Sequence, residues 1–94
     1  MAANKAPAGH FTILYFAGAA SFTRKHQETI RSPLPLDKLS DTLEKMYPGI
    51  RSSILSSCAV TMNLEYVDID DDSSDNTFIQ EGDEVALIPP VSSG

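Results

Sequence analysis

The residues with the most distinctive chemistry are the last six, a C-terminal arm with the sequence Pro89-Pro90-Val91-Ser92-Ser93-Gly94. Six extended residues reach about 20 Å, and the two prolines stiffen the base of the arm because they favour an extended conformation. Gly94 has no Cβ, so it can enter a narrow channel in any backbone conformation. Such an arm suits a carrier whose own terminal carboxylate reacts in the active site of another protein. A chain end without any role is also compatible with these residues.

An acidic segment offers oxygen ligands for a metal ion. Asp70, Asp72, Ser74 and Glu81 occupy positions 1, 3, 5 and 12 of a calcium-loop register. Position 6 of such a loop needs glycine for its sharp turn, but it is Asp75 here. The flanking residues also have strand patterns, whereas a calcium loop of this kind lies between helices. These departures favour a solvated acidic loop over a calcium site.

The remaining candidates for chemistry are one thiol and two imidazoles. Cys58 follows apolar residues and precedes a strand pattern, which is typical of a small core residue. His10 and His26 lack the spacing of a zinc site, and a Cys58–His26 nucleophilic pair has no support from sequence spacing. No glycine-rich phosphate loop and no nucleophile elbow is present. We therefore expect no metal, no permanently bound cofactor and no active site within the chain itself.

Length and charge limit the remaining function classes. Ninety-four residues predict one domain, no apolar run approaches the roughly 18 residues of a membrane span, and we expect no secretory signal because MAANKAPAGH contains no apolar stretch. The net charge of −6 argues against nucleic acid as a partner. All 7 lysines and arginines lie in residues 1–51, so residues 52–94 carry a net charge of −9. That acidic half suits either a solvated surface or a basic partner protein.

The elements that must position the arm follow from hydrophobic periodicity. We expect an α+β roll, in which a sheet has one main helix packed on one face. A flexible N-terminal tail over residues 1–9 precedes a domain over residues 10–90. The predicted elements of this domain are a buried strand at 11–16, a loop at 17–21, a half-exposed strand at 25–32, a helix at 36–47 with Pro35 in its first turn, a helical turn at 50–57, a strand at 59–67, an acidic loop at 68–76, a short apolar piece at 77–79 and a last strand at 84–88.

Three segments resemble the small subunit of molybdopterin synthase. The end of the chain, EGDEVALIPPVSSG, is similar to that family's usual pattern of Gly-Asp-Glu-Val-Ala, an apolar pair, Pro-Pro, Val or Ile, Ser or Thr, and Gly-Gly. FTILYFAGAASFT is similar to the family's first strand, and AVTMNLEYV is similar to its third. The resemblance covers about residues 10–94 and implies a ubiquitin-like β-grasp fold, a mixed sheet that agrees with the predicted order of elements.

The resemblance also implies a mechanism and partners. A relative of the ubiquitin activators would use ATP to adenylate Gly94, and sulfur would then displace AMP to leave a thiocarboxylate. The residues 91–94 would form an extended reactive tail, with Val91, Ser92 and Ser93 threading a channel of the large subunit and Pro89 and Pro90 aiming them. Two sulfur transfers to precursor Z would build the dithiolene of molybdopterin. The implied assembly is a cytoplasmic heterotetramer of two small and two large subunits, with no nucleic acid and no membrane.

One position departs from the family pattern. Ser93 stands where the family has its penultimate glycine, and its Cβ restricts φ and widens the arm at its narrowest part. The number of residues after Pro-Pro still matches the family, which indicates a substitution and not a lost residue. Two alternatives stay open: a sulfur carrier for tRNA thiolation or thiamine synthesis on the same fold, and a ubiquitin-like interaction domain with an inert tail.

Overall fold

The computed structural model of the chain describes residues 6–69 and 77–90. Seven strands and two α-helices make up most of these residues. The strands are β1 (His10–Tyr15), β2 (Gln27–Arg31), β3 (Leu34–Pro35), β4 (Ala59–Met62), β5 (Glu65–Val67), β6 (Phe78–Ile79) and β7 (Glu84–Ile88). The helices are α1 (Gly18–Thr23) and α2 (Leu39–Met46), with a 3-10 turn at Leu36–Lys38 and a π-helical turn at Arg51–Leu55. Expectations for residues 1–5, 70–76 and 91–94 lie outside the described residues.

Five strands form a mixed sheet in the order β2-β1-β7-β4-β5. β1 and β7 run parallel to each other, and the other neighbours are antiparallel. The predicted buried strand, β1, is paired on both sides, and β2 folds back on it as expected. A second sheet joins β3 to β6. This small sheet could not be predicted from the sequence, because two-residue strands leave no periodic pattern.

The core lies on one face of the large sheet. In the strand register Ile13 lies opposite Val85, and Tyr15 lies opposite Leu87. These four side chains are at most 1% exposed, as expected for alternate residues that face a core. Helix α2 covers this face with the fully buried Leu39 and Leu43. These two leucines are four residues apart and therefore lie on one side of the helix. The predicted packing of the main helix on one face is thus confirmed.

The main helix is shorter than predicted at both ends. Pro35 belongs to β3 and not to the first helical turn, and α2 itself begins at Leu39 after the 3-10 turn. The helix ends before Pro48, as expected from a residue that breaks helices. Beyond its end, the Glu44 carboxylate accepts hydrogen bonds from the backbone N–H groups of Gly49 (2.9 Å) and Arg51 (3.0 Å). This carboxylate holds the start of the predicted helical turn at 50–57 against α2.

Two predicted elements were wrong. The segment 17–21 is not a loop, since it forms most of α1, in which Ala19 is fully buried. The segment 59–67 is not one strand, because Asn63 and Leu64 adopt positive φ angles of 54° and 74° and turn the chain back between β4 and β5. Asparagine tolerates such angles well, and two of them in succession form a tight hairpin turn. Apolar alternation continues through this turn and therefore hides it in the sequence.

A partly buried carboxylate braces one end of the core. Glu28 on β2 accepts hydrogen bonds from the Tyr15 hydroxyl, the Tyr47 hydroxyl (2.6 Å) and the Lys25 ammonium (3.0 Å). Burial alone raises the pKa of Glu28, but these three donors outweigh burial and hold it below its usual value. Burial and the neighbouring carboxylate both raise the pKa of Tyr15. The brace therefore links the end of β1 to the residue that follows α2.

Candidate functional site at the exit of the C-terminal arm

The arm leaves the folded body at its two prolines. β7 ends at Ile88, Pro89 is buried and Pro90 is exposed. Pro89 is therefore packed against the folded body, and Pro90 is exposed to solvent. That the two prolines set the direction of the arm stays a prediction. The other predicted site residues, Val91, Ser92, Ser93 and Gly94, lie outside the described residues.

The pairing between β1 and β7 stops where the arm begins. The last bond of this ladder runs from the Phe16 N–H to the Leu87 carbonyl, 3.2 Å away. In a parallel ladder the next bond would come from residue 89 to the Phe16 carbonyl, but Pro89 has no N–H to donate. The Phe16 carbonyl instead accepts the N–H of Ala19 at 2.9 Å. The group that would have held the arm thus closes the first turn of α1.

Ala17, the residue after Phe16, turns the chain away from β7 at the point where the β1–β7 ladder stops. Its backbone angles, φ 51° and ψ −126°, are those of the first central residue of a type II′ turn, a position that favours glycine. Glycine occupies the following position, Gly18, where its φ is not positive. Sequence reasoning missed this turn because the glycine lies one residue past the strained position.

The outer face of the sheet carries two exposed aromatic side chains near the arm exit, Phe16 and Tyr66. Leu14, Ala86, Thr61 and Tyr66 form one cross-strand row on the face opposite the core. Tyr66 is 77% exposed, and Phe16, next to this row at the end of β1, is 45% exposed. Leu14 is half-buried, and Ala86 and Thr61 are buried between them. Large apolar side chains grouped on a surface are typical of protein interaction sites. We call this set of five residues the outer apolar face.

Cys58 is placed as a partly buried residue and not as a nucleophile. It packs against the core and lines a cavity of about 280 Å³ with residues of β4 and β5. Burial raises the pKa of its thiol more than a hydrogen bond with the Ile88 backbone lowers it, which disfavours the reactive thiolate. His26 immediately precedes β2 and Cys58 precedes β4, with β1 and β7 between them. Three strand spacings, about 14 Å, separate the two residues and rule out a hydrogen-bonded pair.

The described residues contain no group of three or more His, Cys, Asp and Glu side chains that could hold a metal ion. Glu81 is exposed, and the other candidate calcium ligands, Asp70, Asp72 and Ser74, lie outside the described residues. His10 and His26 flank opposite ends of β1 and β2 and therefore share no site. No helix within residues 6–69 and 77–90 has the length and apolar character needed to cross a bilayer.

Most described acids of the second half lie far from the arm. Glu84 begins β7, Asp83 precedes it, and Glu65 begins β5 beside the Asn63–Leu64 turn. These residues occupy the opposite end of the sheet, whereas Asp68 follows β5 on the arm side. The hypothesis that the acidic half docks on a basic partner therefore points, for these three residues, to a surface remote from the arm exit.

Comparison with known proteins decides the family. The ThiS family model matches residues 13–94. This range includes the arm and all of the strands and helices except the start of β1. The chain belongs to the ThiS family. It is 58% identical to the molybdopterin synthase sulfur carrier subunit of Phaeosphaeria nodorum, over the full length of both chains. This identity confirms the resemblance to the small subunits of molybdopterin synthase.

Solved structures confirm the fold of this ThiS family member. SAMP1 from Haloferax volcanii superposes with a TM-score of 0.71 at 22% identity, covering 92% of this chain and 100% of that one. Subunits 1 and 2 of the molybdopterin-converting factor from Helicobacter pylori were solved as a complex, and a chain of it superposes with a TM-score of 0.60 at 21% identity, covering 90% and 99%. The predicted ubiquitin-like β-grasp fold, a mixed sheet with the main helix on one face, is therefore confirmed.

Proposed function

We propose that this chain is the sulfur-carrier subunit of a molybdopterin synthase and that the carboxylate of Gly94 carries the sulfur. The observation that supports this best is the end of the β1–β7 ladder before Pro89, which has no N–H to donate to the Phe16 carbonyl. A carrier needs its reactive end outside its own sheet so that a second protein can receive it. The 58% identity to a molybdopterin synthase sulfur carrier subunit over the full length of both chains supports the same function.

The chemistry requires an activating step because a free carboxylate does not accept a sulfur nucleophile. In our proposal an activating enzyme uses ATP as a substrate: a Gly94 carboxylate oxygen attacks the α-phosphorus, and pyrophosphate leaves. Hydrosulfide then attacks the acyl carbon, the bond between this carbon and the AMP oxygen breaks with AMP as the leaving group, and loss of the S–H proton to water gives the thiocarboxylate. The folded body keeps this group at high effective concentration beside precursor Z. In this proposal the large subunit supplies the groups that bind precursor Z, and two sulfur transfers build the dithiolene.

The outer apolar face is the surface that we assign to the large subunit. Phe16 is next to the arm exit and Tyr66 lies on the same face of the sheet, so a protein that covers them also receives the arm. The complex of subunits 1 and 2 in the Helicobacter pylori factor supports a partner of this kind. We propose a cytoplasmic assembly with two small and two large subunits.

Ser93 is the position at which the arm departs from the family pattern. We propose that it is tolerated, because the reacting carbonyl belongs to Gly94 and not to Ser93. Replacing Ser93 with glycine should leave the extent of thiocarboxylation unchanged in a reaction with the activating enzyme. A wild-type chain that stays unmodified while Ser93→Gly becomes thiocarboxylated would show that the serine blocks the reaction.

Reconstitution with the large subunit tests the function as a whole. The thiocarboxylated chain, mixed with the large subunit and precursor Z, should yield molybdopterin in proportion to the sulfur supplied, and the untreated chain should yield none. A carrier for tRNA or thiamine would become thiocarboxylated but would form no molybdopterin. An interaction domain with an inert tail would not become thiocarboxylated at all.

A further inference from the structure

The strained turn at the arm exit has a consequence for how the arm is presented. We propose that Ala17 is a positioning residue for the arm: its left-handed turn ends the β1–β7 ladder and so keeps Pro89 and the residues after it out of the sheet. This inference rests on the proposed function, since it concerns delivery of the same C-terminal group. It adds a residue that is distant in sequence from the arm and absent from the motif by which the arm is recognised.

Packing does not explain the strain at Ala17. Its side chain is exposed, so no buried contact requires alanine at a φ of 51°. A non-glycine residue in such a conformation costs on the order of 1–3 kcal/mol and persists only where its surroundings hold it. Here the Ala19 N–H donates a hydrogen bond to the Phe16 carbonyl (2.9 Å). The N–H groups of Ala20 and Ser21 donate to the Ala17 carbonyl (3.0 and 3.2 Å). Three backbone hydrogen bonds of this segment thus maintain the turn.

The strand register shows which hydrogen bond would form if β1 continued as extended backbone through Ala17. The Phe16 N–H donates to the Leu87 carbonyl, and donors on one edge of a strand recur every second residue. If Ala17 were extended, the Gly18 N–H would therefore face the carbonyl of Pro89. That bond would attach the base of the arm to β1 and carry the sheet one step further along the arm. Two bonds could thus join Pro89 to β1. The bond to the Phe16 carbonyl cannot form because Pro89 has no N–H, and the bond from the Gly18 N–H does not form because Ala17 turns the chain away.

Capture of Pro89 would redirect the arm and shorten its free length. Each extended residue spans about 3.3 Å, so pairing of one residue pair withdraws several ångströms of reach from a reactive group. A displacement of about 1 Å at a reacting centre can reduce a rate on the order of a hundredfold. The turn therefore affects delivery of the thiocarboxylate without touching the reacting atoms.

A matched pair of valine substitutions tests the proposal. Valine is β-branched and does not hold a positive φ, so Ala17→Val should convert the turn to extended backbone. Leu64→Val places the same residue at a φ of 74° in the exposed hairpin turn at the opposite end of the sheet. Both variants should lose thermal stability. Only Ala17→Val should lose sulfur transfer, on the order of a hundredfold relative to wild type at a temperature where both are folded.

Amide hydrogen exchange in the isolated chain separates positioning from steric interference with the partner. In Ala17→Val the Gly18 amide should become protected because it now pairs with Pro89, and the Ala19 amide should lose protection. Ala17→Gly keeps the turn without strain, so it should retain full transfer and melt at a higher temperature than wild type.

Three results would overturn the inference: unchanged transfer in Ala17→Val, equal loss of transfer in Leu64→Val, or lost transfer with no change at the Gly18 amide. If the wild-type chain itself carries no sulfur, the proposed function fails and the positioning role fails with it. That outcome is recognised from the wild-type protein alone, before any variant is compared.

Discussion

The two ends of the large sheet are built in opposite ways. At the hairpin end, around Asn63, Asp83 and Glu84, side chains and backbone bond across the strands. The Asn63 amide group donates to Asp83 (3.2 Å) and accepts from the Glu84 N–H (3.0 Å), and its backbone N–H donates to the Glu84 carbonyl (2.8 Å). At the arm end, the ladder stops at Phe16 and Pro89 removes the next donor. Cross-strand hydrogen bonds continue to the last residues of the sheet at the hairpin end, whereas at the other end the β1–β7 ladder stops before Pro89.

Both ends contain residues with positive φ, which makes the contrast instructive. Asn63 has a side chain suited to that conformation and uses it to join two strands, whereas Ala17 has no side chain that could do so. The strain at Ala17 serves to separate strands. The comparison predicts that changes in the hairpin turn affect stability alone, whereas changes at Ala17 or in the arm affect sulfur transfer.

The largest expected effect is at the arm end. Deleting Gly94 should abolish molybdopterin formation in the reconstituted synthase, while the free energy of unfolding in urea stays within about 0.5 kcal/mol of wild type, since the residue follows the last strand and both prolines in the sequence. Adding one alanine after Gly94 should have the same effect, because it moves the carboxylate but keeps every native residue. Residual activity in either variant would show that the terminal carboxylate is not the carrier group.

Glu28 tests whether the arm end has its own source of stability. Glu28→Gln should lower the free energy of unfolding at pH 7 by about 2–3 kcal/mol, because hydrogen bonds to an ionised acceptor are replaced by weaker ones. The folded-state pKa of Glu28 lies below its ordinary value of 4.5, so its stabilisation is complete above about pH 4.5 and is lost as the pH falls through the folded-state pKa.

Urea unfolding of wild type and Glu28→Gln between pH 7 and pH 3 measures this difference. The two stabilities should converge as the pH falls. A constant difference over the whole range would mean that the charge on Glu28 contributes nothing to the brace with Tyr15 and Tyr47.

Asn63 tests the hairpin end. Asn63→Ala removes two side-chain hydrogen bonds and should cost about 2 kcal/mol of stability, with an unchanged rate of sulfur transfer at temperatures where the variant is folded. Asn63→Gly keeps the positive φ and loses only the side-chain bonds, so it should be the more stable of the two variants. A fall in transfer for both variants would remove the distinction between the two ends.

Leu64 should give the smallest effect, and in the opposite direction. It is 87% exposed with a φ of 74°, so Leu64→Gly relieves backbone strain and should raise the stability by about 1 kcal/mol. Thermal unfolding is a sufficient measurement. An unchanged or lower melting temperature would indicate that Leu64 is not strained in the folded protein.

The sequence predicts the central elements well because their patterns are long and regular. β1, β7 and α2 follow from alternating or helical apolar spacing, and Pro48 and Pro89 mark where α2 and β7 stop. Helix α1 could not be predicted, since its small residues have no apolar periodicity and its first turn depends on the diverted Phe16 carbonyl. The Asn63–Leu64 turn was missed because no glycine marks it and apolar alternation continues across it.

One part of the candidate site, the arm, can be predicted from the sequence, and another part, the turn at Ala17, cannot. The arm is recognisable from its motif, which depends only on local residue types, and the family match over residues 13–94 agrees with it. The turn at Ala17 is not encoded by a motif, because alanine at that position gives no sign of a positive φ. It follows from the bond between the Phe16 N–H and the Leu87 carbonyl, which shows where the β1–β7 ladder would continue to Pro89.

The mass of the C-terminal peptide tests most directly whether Gly94 carries the sulfur. After the chain is incubated with the activating enzyme, ATP and a sulfur donor, the peptide ending in Gly94 should gain the mass difference between one sulfur and one oxygen, and fragmentation should place it on the terminal carboxyl group. Omission of ATP should prevent the change. An unmodified C-terminal peptide in the complete reaction, or sulfur found only on Cys58, would contradict the proposed function.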